Sequence, residues 1–262
     1  MLYYRTYVKD ESLPWVTFVH GAGGSSAIWY KQMREYKKHF NVLLVDLRGH
    51  GQSGRGTWEE GDHFSEVSLE IVEVLDHLHI PESHFVGISL GTIVIQTIAQ
   101  DHPERVASMI LGGAITELNW RTRFLIAIAN LTKYMLPYML LYQLFAWIIM
   151  PKRNHLESRH AFVRQAAKMC QKEFINWLSL TKSVNPYLGK IQSSISHIPT
   201  LFIMGQEDHL FIKSVRSIAQ KAKTATVKVI TGAGHVCNID KPDAFNQITI
   251  DFIRRQKRRL AS

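Results

Sequence analysis

Short apolar runs alternate with helical patterns along most of this 262-residue chain. Several of the runs are apolar at every position, which is typical of strands buried on both faces of a sheet. The alternation predicts an α/β fold with one mostly parallel, doubly wound sheet. The predicted strands are 2–8, 15–20, 41–46, 84–89, 107–113, 200–205 and 226–232.

Helical periodicity fills most of the intervals between these strands. The clearest helix candidates are 64–78, 90–100 and 242–255. The alternation stops from about 118 to 198, where the pattern is helical without a strand. We therefore predict a core made of 1–117 and 199–262, with a helical cap or lid at 118–198 inserted between two late strands.

The run at 84–89 ends in a single hydroxyl, Ser89, flanked by Gly87 and Gly91. If a strand ends and a helix begins here, Ser89 occupies a sharp turn in which a side chain at either glycine would crowd the backbone. Its hydroxyl would project at the carboxyl edge of the sheet, where doubly wound folds bind ligands. The pattern predicts a nucleophile.

A serine nucleophile needs a base and a third group that orients the base. His235 lies in a glycine-flanked loop between the last strand and the last helix, and Asp208 directly follows the strand at 200–205. Both loops are predicted at the same sheet edge as Ser89. The chain order of serine, aspartate and histidine is that of the catalytic triad in hydrolases with a G-x-S-x-G turn. Ser89, Asp208 and His235 are the predicted catalytic residues.

Alternatives exist for both partners of the serine. Glu207 is a rival orienting acid beside Asp208, and Asp208 could instead cap a helix that starts near Phe211. His235 could be a packing histidine, with His209 nearby.

Acyl transfer also needs donors aimed at the developing oxyanion. The backbone N–H of Leu90 follows the predicted nucleophile, and the turn after the strand at 15–20 should supply a second donor from Ala22, with Gly23 in reserve. We expect His20 to shape that turn rather than to act as the base. The turn matches neither of the glycine-rich motifs that bind phosphates.

These motifs resemble those of the α/β-hydrolase fold family, and the resemblance extends from about residue 2 to residue 253. By that resemblance Ser89, Asp208 and His235 match the nucleophile, acid and base, while Ala22 and Leu90 match the oxyanion donors. The segments that carry the resemblance are 20–29, 46–53, 87–91, 102–111, 205–210 and 232–245.

The resemblance does not determine the reaction, since one fold supports many. Haloalkane dehalogenases and epoxide hydrolases of this fold use aspartate where this chain has Ser89. The pyruvate-eliminating enzyme of menaquinone synthesis carries an arginine shortly after the nucleophile. The corresponding residues of this chain are Thr92, Ile93 and Val94. Enol-lactonases, carboxylesterases, C–C hydrolases and cofactor-free perhydrolases remain compatible.

The sequence therefore predicts a serine hydrolase that cleaves a carboxylic ester or lactone through an acyl-enzyme. The alternative from another class is a ligand-binding or signalling module that retains the hydrolase pocket and responds through its cap. No metal or organic cofactor is implied, and the oligomeric state is not predicted.

The predicted cap is rich in aromatic residues. If some of them line the cleft, they favour a small to medium apolar substrate, although they could equally pack the cap against the core. They are Trp120, Phe124, Tyr134, Tyr138, Phe145, Trp147, Phe174 and Trp177.

The segment 134–150 has no charged residue. It is short for a membrane span and contains Pro137, Gln143 and three tyrosines, so we predict a buried or interfacial pair of helices extending back to Phe124. Contact of this apolar stretch with a membrane surface, beside Lys152 and Arg153, is an alternative that we do not favour.

The net charge of +9 could attract polyanions, but the basic residues are dispersed. The basic tail at 254–259 continues an amphipathic helix, and we expect it to be solvated rather than a nucleic-acid-binding arm. Two cysteines are too few for a disulfide scaffold or a paired zinc site. With no secretory signal expected, we predict a cytoplasmic protein.

Overall fold

Seven strands form a single sheet in the spatial order β1-β3-β2-β4-β5-β6-β7. The computed structural model describes residues 1–181, 184–194, 197–220, 222 and 224–260. Each predicted strand overlaps one observed strand, and the mostly parallel α/β sheet is confirmed. The strands are β1 (Tyr4–Tyr7), β2 (Trp15–Val19), β3 (Asn41–Val45), β4 (Ser83–Ile88), β5 (Val106–Gly112), β6 (Thr200–Gly205) and β7 (Ala225–Ile230).

The strands β2 to β7 pair in parallel, and only β1, at one edge, runs antiparallel to its neighbour β3. Every residue of β3, β4 and β6 is buried, whereas β7 alternates between partly buried and exposed positions at the other edge. The continuous apolar runs of the sequence are thus the strands covered on both faces.

Helices flank this sheet. The predicted helices at 64–78, 90–100 and 242–255 are observed as α2, α3 and α11, and α11 continues to Leu260. The pair α2 and α3 packs together, and α1 packs on α11. These helices are α1 (Tyr30–Tyr36), α2 (Phe64–His77), α3 (Leu90–Asp101), α9 (Ile212–Ala219), α10 (Cys237–Asp240) and α11 (Pro242–Leu260).

Between β5 and β6 the described chain is helical, in agreement with the strand-free pattern of the sequence. That this segment acts as a separate cap stays a prediction; we call α4 to α8 the inserted helices. They are α4 (Trp120–Thr132), α5 (Tyr138–Ile149), α6 (Leu156–Ala166), α7 (Gln171–Leu180) and α8 (Val184–Ser194).

The apolar segment 134–150 contains the 12-residue helix α5, which follows α4 after a short link. At 1.5 Å per residue, a helix of this size is much shorter than the hydrocarbon core of a bilayer. Among the described residues, no helix combines the length and the apolarity needed to cross a membrane.

The strand order reverses beside β2, because the chain moves from β2 to β3 on one side and later returns to β4 on the other. The loops that follow β2 and β4 therefore leave the sheet side by side at its carboxyl edge. Val19 and Gly87 are paired in the sheet, so the turn after β2 begins next to Ser89.

Candidate active site

Ser89 is the turn residue between β4 and α3, with φ 54° and ψ −122°. Such a positive φ is strained for a residue with a side chain. The two glycines make the turn sterically feasible. A Cβ at Gly91 would lie 2.4 Å from the carbonyl oxygen of Val19, and one at Gly87 would lie 2.5 Å from Cδ1 of Ile95. The close strand-to-helix turn expected from the sequence is therefore observed.

Ser89, His235 and Asp208 form one hydrogen-bonded chain. Nε2 of His235 lies 2.9 Å from Oγ of Ser89, and Nδ1 of His235 lies 2.8 Å from Oδ2 of Asp208. Because a carboxylate only accepts, Nδ1 of His235 carries the proton and Nε2 is free to accept from the serine hydroxyl. His235 and Asp208 are buried, while Ser89 is partly accessible. Three residues from distant parts of the sequence thus meet at the predicted edge.

Asp208 also receives the backbone N–H of Phe211 on its other oxygen, Oδ1, at 3.3 Å. The aspartate therefore bonds the backbone just before α9, without acting as the side-chain cap of that helix, and also binds His235. The ring of Phe211 lies against that of His235, with centroids 5.2 Å apart. These contacts hold the imidazole between an apolar ring and a carboxylate.

Glu207, the rival acid, makes no contact with His235 and instead binds the inserted segment. Its carboxylate contacts Nζ of Lys152 at 2.9 Å, Nδ2 of Asn154 at 2.9 Å and Nε2 of His155 at 2.8 Å. Hydrogen bonds from Asn154 and Lys152 lower the pKa of Glu207 to about 2. His209, the other neighbour considered, is exposed.

The loop that carries His235 is held by Asp240, a residue that was not predicted from the sequence. Oδ2 of Asp240 accepts the backbone N–H of Gly234 at 2.7 Å. Burial raises the pKa of Asp240, although this hydrogen bond acts in the opposite direction. The loop passes close to the sheet, because a Cβ at Gly205 would lie 2.0 Å from the carbonyl oxygen of Gly234. The glycines at 232 and 234 were the sequence signal that this loop passes close to the sheet.

The two predicted oxyanion donors, Ala22 and Leu90, line one cavity together with Ser89. The N–H of Leu90 is at the first position of α3, where no intrahelical acceptor exists. Among the described residues, none accepts a hydrogen bond from the N–H of Ala22. Gly23, the reserve donor, differs, because its N–H donates to Nε2 of His50 at 2.9 Å.

His20 and His50 support the turn after β2 as neutral, buried side chains. Nε2 of His20 accepts the N–H of Leu47 at 3.0 Å, and Nε2 of His50 accepts that of Gly23, so both rings carry their proton on Nδ1. Burial lowers the pKa of both, that of His50 to about 3. His20 thus has the shaping position expected of it, whereas the contribution of His50 was not recognised from the sequence.

The cavity beside Ser89 has a volume of about 210 Å³ and extends between the sheet edge and the inserted helices. Its lining is mostly apolar, and no charged side chain occurs among the described residues that line it. Three of the eight predicted cap aromatics, Phe145, Phe174 and Trp177, line it. Four others, Trp120, Phe124, Tyr134 and Trp147, are exposed instead.

Comparisons with known proteins agree with this architecture. The sequence model of the family described as "alpha/beta hydrolase fold" matches residues 14–140. The solved structure of the enol-lactonase from Burkholderia xenovorans LB400 superimposes with a TM-score of 0.82 at 20% identity, covering 97% of this chain and 96% of that one. This likeness shows the fold. The α/β-hydrolase fold predicted from the sequence is confirmed.

Two curated relatives are similar over nearly the whole chain. The putative carbamate hydrolase RutD of Acinetobacter baylyi is 25% identical, covering 94% of this chain and 95% of that protein. The dihydrolipoyllysine-residue acetyltransferase component of the acetoin cleaving system of Pseudomonas putida is 29% identical over 92% of this chain. This chain spans 63% of the length of that acetyltransferase component.

Proposed function

We propose that this chain, which has the α/β-hydrolase fold, is a serine hydrolase that cleaves a carboxylic ester or lactone of a small to medium apolar substrate. The observation that carries the proposal is the hydrogen-bonded chain from Ser89 through His235 to Asp208, with contacts of 2.9 Å and 2.8 Å. A strained serine with a buried, oriented imidazole is the arrangement that nucleophilic acyl transfer requires.

In the first step of the proposed mechanism, Oγ of Ser89 attacks the substrate carbonyl carbon while its proton passes to Nε2 of His235. The carbonyl oxygen becomes an oxyanion, which accepts hydrogen bonds from the N–H groups of Ala22 and Leu90. Asp208 stabilises the imidazolium that forms. The carbon–oxygen bond to the leaving group then breaks, and His235 protonates the departing alcohol oxygen, which leaves an acyl-enzyme.

In the second step, water enters the position vacated by the leaving alcohol. His235 takes a proton from the water, the resulting hydroxide attacks the acyl carbon, and the same two N–H groups stabilise the second oxyanion. When the bond to Oγ breaks, His235 returns the proton to Ser89 and the carboxylic acid is released. In a lactone the leaving alcohol stays part of the product, since the ring opens in the first step.

The apolar cavity supports the assignment of the substrate class. A cavity of about 210 Å³ without a charged lining residue among those described favours a neutral aliphatic or aromatic acyl group over an anionic one. The names of the relatives, enol-lactonase and carbamate hydrolase, point to attack at an ester or carbamate carbonyl. We carry over that class of chemistry and not the individual substrates.

Fluorophosphonate labelling tests this proposal without knowledge of the substrate. We expect one adduct per chain, located at Ser89 by peptide mapping, and none in Ser89→Ala or His235→Ala. The matched control is Ser179→Ala, which removes an exposed serine on α7 and should leave labelling unchanged. Labelling that persists in Ser89→Ala would refute the assignment of the nucleophile.

Hydrolysis of p-nitrophenyl esters of increasing acyl length tests the substrate class. Turnover should improve with acyl length until the chain fills the cavity and then decline. The ligand-binding alternative predicts the opposite pattern, in which apolar ligands bind tightly, Ser89→Ala binds them equally well, and the native protein hydrolyses none of the esters.

A further inference from the structure

The helix α4 carries apolar residues on two faces. One face, with Leu125 and Ile126, lines the cavity. Residues Trp120, Phe124, Ile128 and Leu131, at helical spacing, are exposed. The exposed fraction of the residue is 73% for Trp120 and 79% for Leu131. An ordinary surface helix presents polar residues on its outer face, so α4 departs from that pattern.

The helix α5 and the link before it repeat the pattern. Leu141 and Phe145 line the cavity, whereas Leu140 and Trp147 on the same helix are exposed. In the link, Met135 is exposed to 81%. We refer to the exposed apolar residues of α4, the link and α5 as the outer apolar surface. Exposed apolar residues that recur along two helices and their link differ from the single, scattered ones found on any protein surface.

The outer apolar surface shares two residues with the lining of the cavity. Ile128 of α4 and Leu144 of α5 both line the cavity, and both are also exposed. Each of the two exposed stripes therefore reaches the cavity. A compound entering at this point would pass from the outer apolar surface to Ser89 along an apolar path.

The charge of this segment is entirely positive. Between residues 118 and 156 the sequence contains no aspartate or glutamate. The cations Arg121, Arg123 and Arg153 are exposed at or near the ends of α4 and α5, whereas Lys152 beside them pairs with Glu207. Apolar and aromatic residues flanked by cations are the composition of helices that lie in the interface of an anionic bilayer.

We propose that the outer apolar surface docks onto an anionic lipid bilayer, with α4 and α5 lying in the interface rather than crossing it. Tryptophan and tyrosine are suited to this depth, since one end of each ring system is apolar and the other polar. A second copy of the chain fits the surface less well, because two segments with cations and no acidic residue would repel one another. The consequence that an apolar ester enters the cavity from the lipid rests on the proposed function, whereas the docking itself does not.

Flotation with phospholipid vesicles tests the docking. The probes are vesicles of phosphatidylcholine alone and of phosphatidylcholine mixed with phosphatidylglycerol. We expect the native chain to float with the mixed vesicles, more weakly with phosphatidylcholine, and less in high salt because salt screens the attraction. Ser89→Ala should float equally well, so that a failure of the proposed chemistry is distinguishable from a failure of the docking.

The surface variant is the double substitution Leu131→Gln and Met135→Gln, at two exposed positions that do not line the cavity. It should lower partitioning into mixed vesicles by about tenfold or more, because each side chain loses a large part of its transfer free energy. The matched control, Leu69→Gln on the exposed side of α2, should float like the native chain. Both variants should hydrolyse a short soluble ester at the native rate and show native circular dichroism.

Three results would overturn the proposal. The native chain could stay at the bottom of the gradient with mixed vesicles, or the double variant could float as well as the control. Sedimentation could also show a concentration-dependent dimer that the double variant loses, without any vesicle binding, which would identify a second copy as the occupant. Equal flotation with both vesicle types would contradict the part assigned to the cations.

Discussion

Replacing Asp208 by asparagine tests the roles of the two neighbouring acids most directly. In the native structure Oδ1 of Asp208 accepts the N–H of Phe211 and Oδ2 accepts the proton on Nδ1 of His235. An asparagine has only one acceptor oxygen. If that oxygen stays on the N–H of Phe211, its NH₂ group faces Nδ1 of His235 and the imidazole proton moves to Nε2, which can then no longer accept the proton of Ser89.

The expected loss of turnover follows from the other orientation of the asparagine amide group. Rotating the amide restores the correct tautomer of His235 but leaves two buried donors, the N–H of Phe211 and the NH₂ group of the new asparagine, facing each other. Each unsatisfied donor costs about 1–3 kcal/mol, so the competent state lies about 2–6 kcal/mol higher in free energy. At about 1.4 kcal/mol per factor of ten, turnover should fall by about 30-fold to about 10⁴-fold.

The matched control is Glu207→Gln, one residue away. The contacts of Glu207 are with Lys152, Asn154 and His155 of the inserted segment, and none is with His235. We therefore expect less than about a threefold change in turnover, since the surroundings of His235 are unaltered.

The assay is the rate of fluorophosphonate labelling together with ester turnover at fixed pH, with circular dichroism to verify folding. Two outcomes would refute this reasoning: a native rate in Asp208→Asn, or losses of the same size in both variants. The first would mean that Asp208 does not control the tautomer of His235, and the second would mean that the loop, rather than one carboxylate, determines the rate.

Further predictions concern stability. Gly91→Ala should destabilise the chain by about 1–3 kcal/mol in urea denaturation, because the new Cβ would lie 2.4 Å from the carbonyl oxygen of Val19. The control Gly189→Ala in α8, at a position with open space around it, should be neutral or stabilising. Equal losses of stability in both variants would contradict the steric argument. Since the pKa of Glu207 is lowered from 4.5 to about 2 in the folded state, its contribution to stability is complete above about pH 4.5 and is lost as the pH falls towards 2. Acid denaturation of Glu207→Gln should therefore lack this part of the loss of stability. An acid denaturation curve like that of the native chain would argue against it. Tyr142→Phe should lower stability by less than about 1 kcal/mol or should raise it, because the buried hydroxyl has no hydrogen-bond partner among the described residues. A loss above about 2 kcal/mol in thermal melting would show that the hydroxyl does form a hydrogen bond.

Much of the candidate site could be predicted because its signals are local. A strand that ends in Gly-Ile-Ser-Leu-Gly leaves Ser89 in a turn that only small neighbours permit, because a Cβ at Gly87 or Gly91 would clash with neighbouring atoms. The positions of Asp208 and His235 followed from parallel topology, since loops after parallel strands emerge at one edge. Their catalytic roles stay predictions until the labelling and the variants are measured.

The sequence by itself determined the α/β alternation, the place of the inserted helices and the edge of the sheet where the three residues meet, because each depends on periodicity or on a few adjacent residues. Only the tertiary structure decided between adjacent candidates. Asp208 rather than Glu207 faces His235, and the N–H of Gly23 is taken by His50. Neighbouring residues share almost the same sequence context, but they contact different parts of the fold.

The distribution of the apolar residues in α4 and α5 was also decided only in three dimensions. Composition does not distinguish Phe145, which lines the cavity, from Trp147, which is exposed two positions later. A helix that is apolar on every side has no amphipathic pattern to orient it, so its inner face is chosen by the surfaces that it packs against.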